Sequence, residues 1–138
     1  MKNNFIIKIL NWLKSTELFA RPSQQIPAKW NLEEYYLDTD QELVHVTGLQ
    51  LKEKKQFFSI EFFEDNSYQH QNNLKVPVVK NIQNGEWVIS RNYIKLNSSE
   101  GNEALIEFQF AIVKEQLKLL KKDSEGRIEF FGIFHQVS

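Results

Sequence analysis

The chain has 138 residues, 17 Lys and Arg against 18 Asp and Glu, a net charge of −1 and no cysteine. That length holds one domain with a core large enough to need no covalent staple, and the missing cysteines exclude disulfides, thiolate metal sites and a cysteine nucleophile. Balanced charge argues against a nucleic-acid partner, which requires a basic surplus or face, while 13 % aromatics with eleven Phe and only five Gly point to strands.

Met1 to Ala20 reads MKNNFIIKILNWLKSTELFA. Phe5, Ile6, Ile7, Ile9, Leu10, Trp12 and Leu13 are apolar, with Lys8, Asn11 and Ser15 gathered on one side, which predicts an amphipathic helix over 1–20. It is too short and too interrupted for an integral membrane span, which takes about 20 apolar residues. Met1-Lys2 and Ala20 also fit a cleaved signal, but Lys8 breaks the apolar run and Leu18 suits the position before a cut poorly. An uncleaved helix, packed as a cap across a barrel mouth, is the reading adopted; a cleaved signal and attachment to a membrane surface are the alternatives. Arg21 to Lys29 holds two prolines without periodicity and reads as a linker, so the domain proper spans 30–138.

From Trp30 the period drops to two. Trp30, Leu32 and Tyr36 are expected on one face, and Glu34, on the same parity, as a carboxylate facing inward or at the rim. Leu43 to Leu51 is a second strand bent at Gly48. Phe58, Ile60 and Phe62 alternate with Ser59 and Glu61, and Ser67 to Gln71 returns after a turn. Pro77 demotes Val76 to Ile82 to an edge strand or extended loop. Gly85 opens a strand carrying Trp87 and Ile89, and Arg91-Asn92 turns into Tyr93 to Asn97. Ile106, Phe108, Phe110 and Ile112 share a face, then Leu117 and Leu119, then Ile128, Phe130 and Phe134, interrupted at Gly132. Many short strands joined by brief turns predict an all-β antiparallel barrel or sandwich.

Ala28-Lys29-Trp30-Asn31-Leu32 opening the first strand, Phe58-Ser59-Ile60-Glu61-Phe62 with Asp65 and Tyr68, Gly85-Glu86-Trp87 with Ile94-Lys95-Leu96, and the aromatic last strands together carry a resemblance. Over Pro27 to Gln136 the chain resembles the small bacterial lipocalin-like proteins, which pair a first-strand Trp with a later Gly-x-Trp strand. The resemblance implies a calycin-type antiparallel β-barrel of about eight strands, open at one end, carrying a small apolar ligand and often exported. Two departures stand out: Ala28 replaces the usual Gly two residues before the Trp, and the lipoprotein cysteine is missing. The poor signal segment favours the cytoplasm, whereas the resemblance favours export to the cell envelope.

An aromatic-lined interior suits an apolar or planar ligand. The expected ligand-binding residues are Trp30, Tyr36, Phe58, Phe62, Trp87, Phe108, Phe110 and Phe130. The same rings can instead plug the barrel, leaving a protein-interaction module that works through an edge strand or the N-terminal helix. His45, His70 and His135 sit on separate segments, so no metal site is expected. No nucleophile elbow, zincin motif or phosphate loop is present, so neither a cofactor nor catalysis is expected. Glu33 and Glu34 point to opposite strand faces and cannot act as an acid–base pair. The basic runs Lys52 to Lys55 and Lys118 to Lys122 read as solvated turns.

Overall fold

A computed structural model describes residues 22–80, 82, 84–98 and 106–137; the helix expected over 1–20 lies outside them. The described strands are β1 (Ala28–Asp38), β2 (Leu43–Val46), β3 (Phe58–Phe62), β4 (Ser67–Asn72), β5 (Gly85–Ser90), β6 (Tyr93–Ser98), β7 (Ile106–Val113), β8 (Gln116–Lys122) and β9 (Ile128–Gln136). Every neighbouring pair is antiparallel. The order is β2-β1-β3-β4-β5-β6-β7-β8-β9, and β1 also pairs with β9. That last pairing closes β1 and β3 to β9 into an eight-stranded barrel, with β2 left as a short extension along β1.

Alternation decides which side chains point inward. In β3, Phe58, Ile60 and Phe62 are buried while Ser59 and Glu61 between them are not. Ile94 and Leu96 of β6, Phe108, Phe110 and Ile112 of β7, and Leu117 and Leu119 of β8 complete one core. The run from Lys118 to Lys122 is therefore strand rather than solvated turn, and Lys118 itself is only 9 % exposed.

Two β-bulges break the alternation, and each moves a residue from its expected face. Between β1 and β9 the register steps at Leu32/Glu34, so one extra residue, Glu33, is accommodated in β1. Trp30 and Leu32 belong to the interior, but beyond the step it is Tyr35 and Leu37 that do so. Tyr36, expected inside, lies on the outer wall with Leu43, against Phe131. A second step, between Lys121 and Lys122 opposite β9, puts Ile128 on the outer wall too, apart from the inward Phe130 and Phe134.

Among the described residues, three short helices fill the ends and seams. The stretch 21–29, expected as a linker, contains α1 (Pro22–Gln25) and the start of β1. Its Ile26 is 0 % exposed and its carbonyl accepts the Trp30 indole N–H at 3.0 Å. The strand expected to bend at Gly48 instead stops at Val46, and α2 (Gly48–Glu53) follows. The Thr47 hydroxyl accepts from the Gln50 N–H and the Gln50 side chain accepts from the Thr47 N–H, a capping box that starts a helix where alternation suggested a strand. A β-carbon at Gly48 would sit 3.0 Å from the Glu33 carbonyl oxygen, so the glycine lets α2 lie close against β1. Pro77, expected to mark an edge strand, opens α3 (Pro77–Lys80), a position where its fixed φ fits and its missing N–H costs nothing. Val76, Val79 and Ile82 around it are buried beside the seam where β4 and β5 pair over only Ser67–Glu86 and Tyr68–Gly85.

Gly132 faces inward between two rings: a β-carbon there would come 2.6 Å from Phe130 Cε2 and 2.8 Å from Phe134 Cε1. Both rings are 0 % exposed, so moving either aside means repacking the core. Gly132→Ala is therefore expected to destabilise the fold by about 1–3 kcal/mol, read as a lowered urea midpoint with an unchanged m-value. An unchanged midpoint would show that the rings can move aside.

Candidate functional site

Seven of the eight residues expected to bind a ligand meet inside the barrel. Trp30, Phe58, Phe62, Trp87, Phe108, Phe110 and Phe130 belong to one cluster and none is more than 4 % exposed. Several of the rings meet: Phe58 meets Phe134 edge-on at 5.3 Å and Phe130 at 6.2 Å, and Phe62 meets Trp87 edge-on at 5.7 Å. Both indole N–H groups are already used, Trp30 on the Ile26 carbonyl and Trp87 on the Phe63 carbonyl at 3.0 Å. These residues lie buried together in the interior where a ligand was expected.

Tyr36 is the eighth, and the bulge takes it to the outer wall. There its ring stacks on His45 at 4.0 Å, and its hydroxyl donates to Glu34 Oε1 at 3.3 Å. The same carboxylate oxygen lies 2.8 Å from His45 Nε2. Burial, then the neighbouring Glu34 carboxylate, pushes the Tyr36 phenol above its ordinary pKa. Glu34, expected inside or at the rim, therefore orders a tyrosine and a histidine on the outside.

A groove of about 680 Å³ opens instead on the outer wall, where β1 parts from β3 and α2 forms the rim. Its floor is a cross-strand row: Asn31 of β1 is in register with His135 of β9 and with Ser59 of β3, and Ser59 with Gln71 of β4. Residues directly opposite in antiparallel strands stand about 5 Å apart, so the row lays amide, hydroxyl and imidazole groups side by side. Glu33, the bulge residue, reaches the same floor, with Oε1 3.4 Å from His135 Nδ1. The walls are apolar: Leu32, Leu49, Leu51, Phe57 and Phe58, with Lys52 at the edge. Leu49 is 68 % exposed and Phe57 48 %, an unusual cost for a wall that meets only water. Phe58 is thus the one expected binding residue that touches the groove, from its inner side. The sequence holds one signal for the site, the Thr47-x-x-Gln50 cap that turns Leu49 out of a strand pattern; the polar row depends on register and has no sequence signature.

The remaining histidine, His70 on β4, belongs to the seam. Its Nε2–H donates to the Ile82 carbonyl at 2.7 Å, and its backbone N–H donates to Asn84 Oδ1 at 3.0 Å. Among the described residues no three His, Cys, Asp or Glu side chains gather as a metal site. No described helix is long and apolar enough to cross a membrane. Burial holds the His70 imidazole below its ordinary pKa, against the opposing effect of the bond to Ile82. The folded chain then takes up this proton at lower pH than the unfolded chain. Stability from this group is complete above about pH 6.5, falls as the pH drops below it, and levels off below the folded-state value. Urea midpoints followed from about pH 7.5 to about pH 5 are expected to fall, with a shallower slope in His70→Gln; equal slopes in the two proteins would place the effect elsewhere.

No protein-family model, no curated protein and no solved structure matches this chain.

Proposed function

We propose that the chain is a non-enzymatic binding protein of lipocalin-like build whose small, largely apolar ligand lies in the groove on the outer wall rather than in the barrel's centre. The observation that carries this reading is the pairing of an apolar wall with a hydrogen-bonding floor in one concavity of about 680 Å³. Sites for small molecules run to roughly 300–1,000 Å³, with apolar walls and a few placed polar groups. Leu49, Leu51 and Phe57 supply apolar contact, and the row from His135 to Gln71 supplies donors and acceptors for one polar edge of the ligand. The interior supports the choice of location, since its large rings are almost fully buried and several of them meet.

The test is a titration with N-phenyl-1-naphthylamine, an uncharged dye that brightens in apolar surroundings, combined with substitutions that leave the core alone. Leu49→Glu and Phe57→Ser both alter exposed side chains, so each protein is expected to keep its wild-type melting temperature while binding the dye at least about tenfold more weakly, about 1.4 kcal/mol. Phe108→Ala, buried in the centre, is expected to lower the melting temperature instead. Dye uptake that the two wall substitutions leave intact, or no uptake at all, would remove the groove as the site.

A second reading, a filled barrel acting as a protein-interaction module, is favoured by β2, which among the described residues pairs on one side only. Strands left open on one edge can accept a further strand. A chain that takes up no dye yet forms a complex through this edge would replace the ligand reading.

A further inference from the structure

The polar floor of the groove continues past the groove's edge. Beside the row Asn31–Ser59–Gln71 lies a second row, in which Lys29 of β1 is in register with Glu61 of β3, and Glu61 with Gln69 of β4. Each of its members is two residues along the strand from a member of the first row. Side chains two apart leave a strand on the same face, about 7 Å from each other, so the two rows form one polar grid on the outer wall. A second concavity, of about 190 Å³, lies over this grid. Ser59 and Gln71 line both this shelf and the groove, so the two are continuous.

The side chains of the shelf restrict what can rest on it. Lys29 and Glu61 stand directly opposite each other, so their charges offset. His70 also lines the shelf, but both its ring nitrogens are engaged: Nε2–H donates to the Ile82 carbonyl, and Nδ1 accepts from the Asn72 amide at 3.3 Å. That pattern requires the neutral imidazole, and burial favours the same form. A charged group placed here would meet no uncompensated partner. The Ser59 hydroxyl and the Asn31, Gln69 and Gln71 amides both donate and accept. Among the described residues their side chains form no hydrogen bond, whereas the amides of Asn66 and Asn73 are spent on neighbouring backbone. Groups of this kind are matched by hydroxyls, which also donate and accept.

We propose that the ligand of the groove is an amphiphile whose apolar body lies against Leu49 and Phe57 and whose uncharged, hydroxyl-bearing head group rests on the β1–β3–β4 shelf. This rests on the groove reading above and adds the chemistry of the head. Ser59 and Gln71, common to both concavities, mark where body gives way to head. Lys52, the lysine of the groove, does not line the shelf, so an anionic head would have to lie at the other side, against α2.

The test is displacement of bound N-phenyl-1-naphthylamine from the full-length protein by amphiphiles that share a chain of octyl length, all kept below their micellar concentrations. Octyl glucoside and monooctanoylglycerol carry uncharged hydroxyl-rich heads, octyl sulfate an anion, octyltrimethylammonium a cation, and 1-octanol a single hydroxyl. At least one of the first two is expected to displace the dye at about tenfold lower concentration than each of the last three; the stronger of the pair tells a sugar head from a glycerol head. Glu61→Ala and Gln69→Ala are expected to keep the melting temperature and the dye affinity while reducing that advantage about three- to tenfold each, the loss of one hydrogen bond. Dye that binds but yields equally to 1-octanol, or most readily to either charged amphiphile, would overturn the head-group assignment and leave the groove reading standing. An advantage that both shelf substitutions leave intact would also overturn it. Absence of dye binding would remove the groove reading and this inference together.

Discussion

The β-bulge at Glu33 governs which side chains this molecule keeps and which it shows. Before it, β1 sends Trp30 and Leu32 into the barrel; after it, the same strand sends in Tyr35 and Leu37 and turns Glu34 and Tyr36 outward. One inserted residue thus lets a single strand serve two surfaces. It closes the barrel against β9 and then continues past it to hold β2. It also separates two adjacent carboxylates, so that Glu33 meets His135 on the groove floor while Glu34 meets His45 and Tyr36 on the opposite outer patch. With every residue kept in strict alternation and no bulge, Tyr35 and Tyr36 would exchange faces and the Glu34 carboxylate would be turned toward the core, where burying a charge is costly.

A barrel of eight strands has room for one layer of inward side chains or for a modest guest. This chain spends that room on rings: Trp30, Phe58, Phe62, Phe108, Phe130 and Phe134 are each at most 2 % exposed. In the proposed reading recognition falls where the strands part, and the groove lies at such a place, between the end of the β1–β3 pairing and the start of the β1–β2 pairing. The buried rings lie behind the strands that carry the polar row.

Much of the barrel was legible because alternation is a local property. β3 and β7 place Phe58, Ile60, Phe62, Ile106, Phe108, Phe110 and Ile112 on the face their parity implies. The failures have separate causes. A bulge adds a residue without changing composition, so Tyr36 and Ile128 carried no sign that their faces had been exchanged. Helices as short as α1 and α3, four residues each, are below the length at which a 3.6-residue period can be seen. The groove was hidden for a further reason. Asn31, Ser59, Gln71 and His135 are ordinary polar residues far apart in the chain, and only the register of four strands brings them into a row.

The pairing of β1 with β9 has a consequence in time. It joins Trp30 to Gln136, nearly the two ends of the described chain, so the contact that closes the barrel has about the largest sequence separation the fold allows. Contacts of that kind slow folding, because their ends must find each other before any gain offsets the lost freedom. During synthesis, at roughly 5–20 residues per second, the apolar face of β1 waits for several seconds before its partner leaves the ribosome. The indole bond from Trp30 to Ile26 lies within that first segment and needs nothing made later. It gives the waiting strand a local anchor until the last strand arrives.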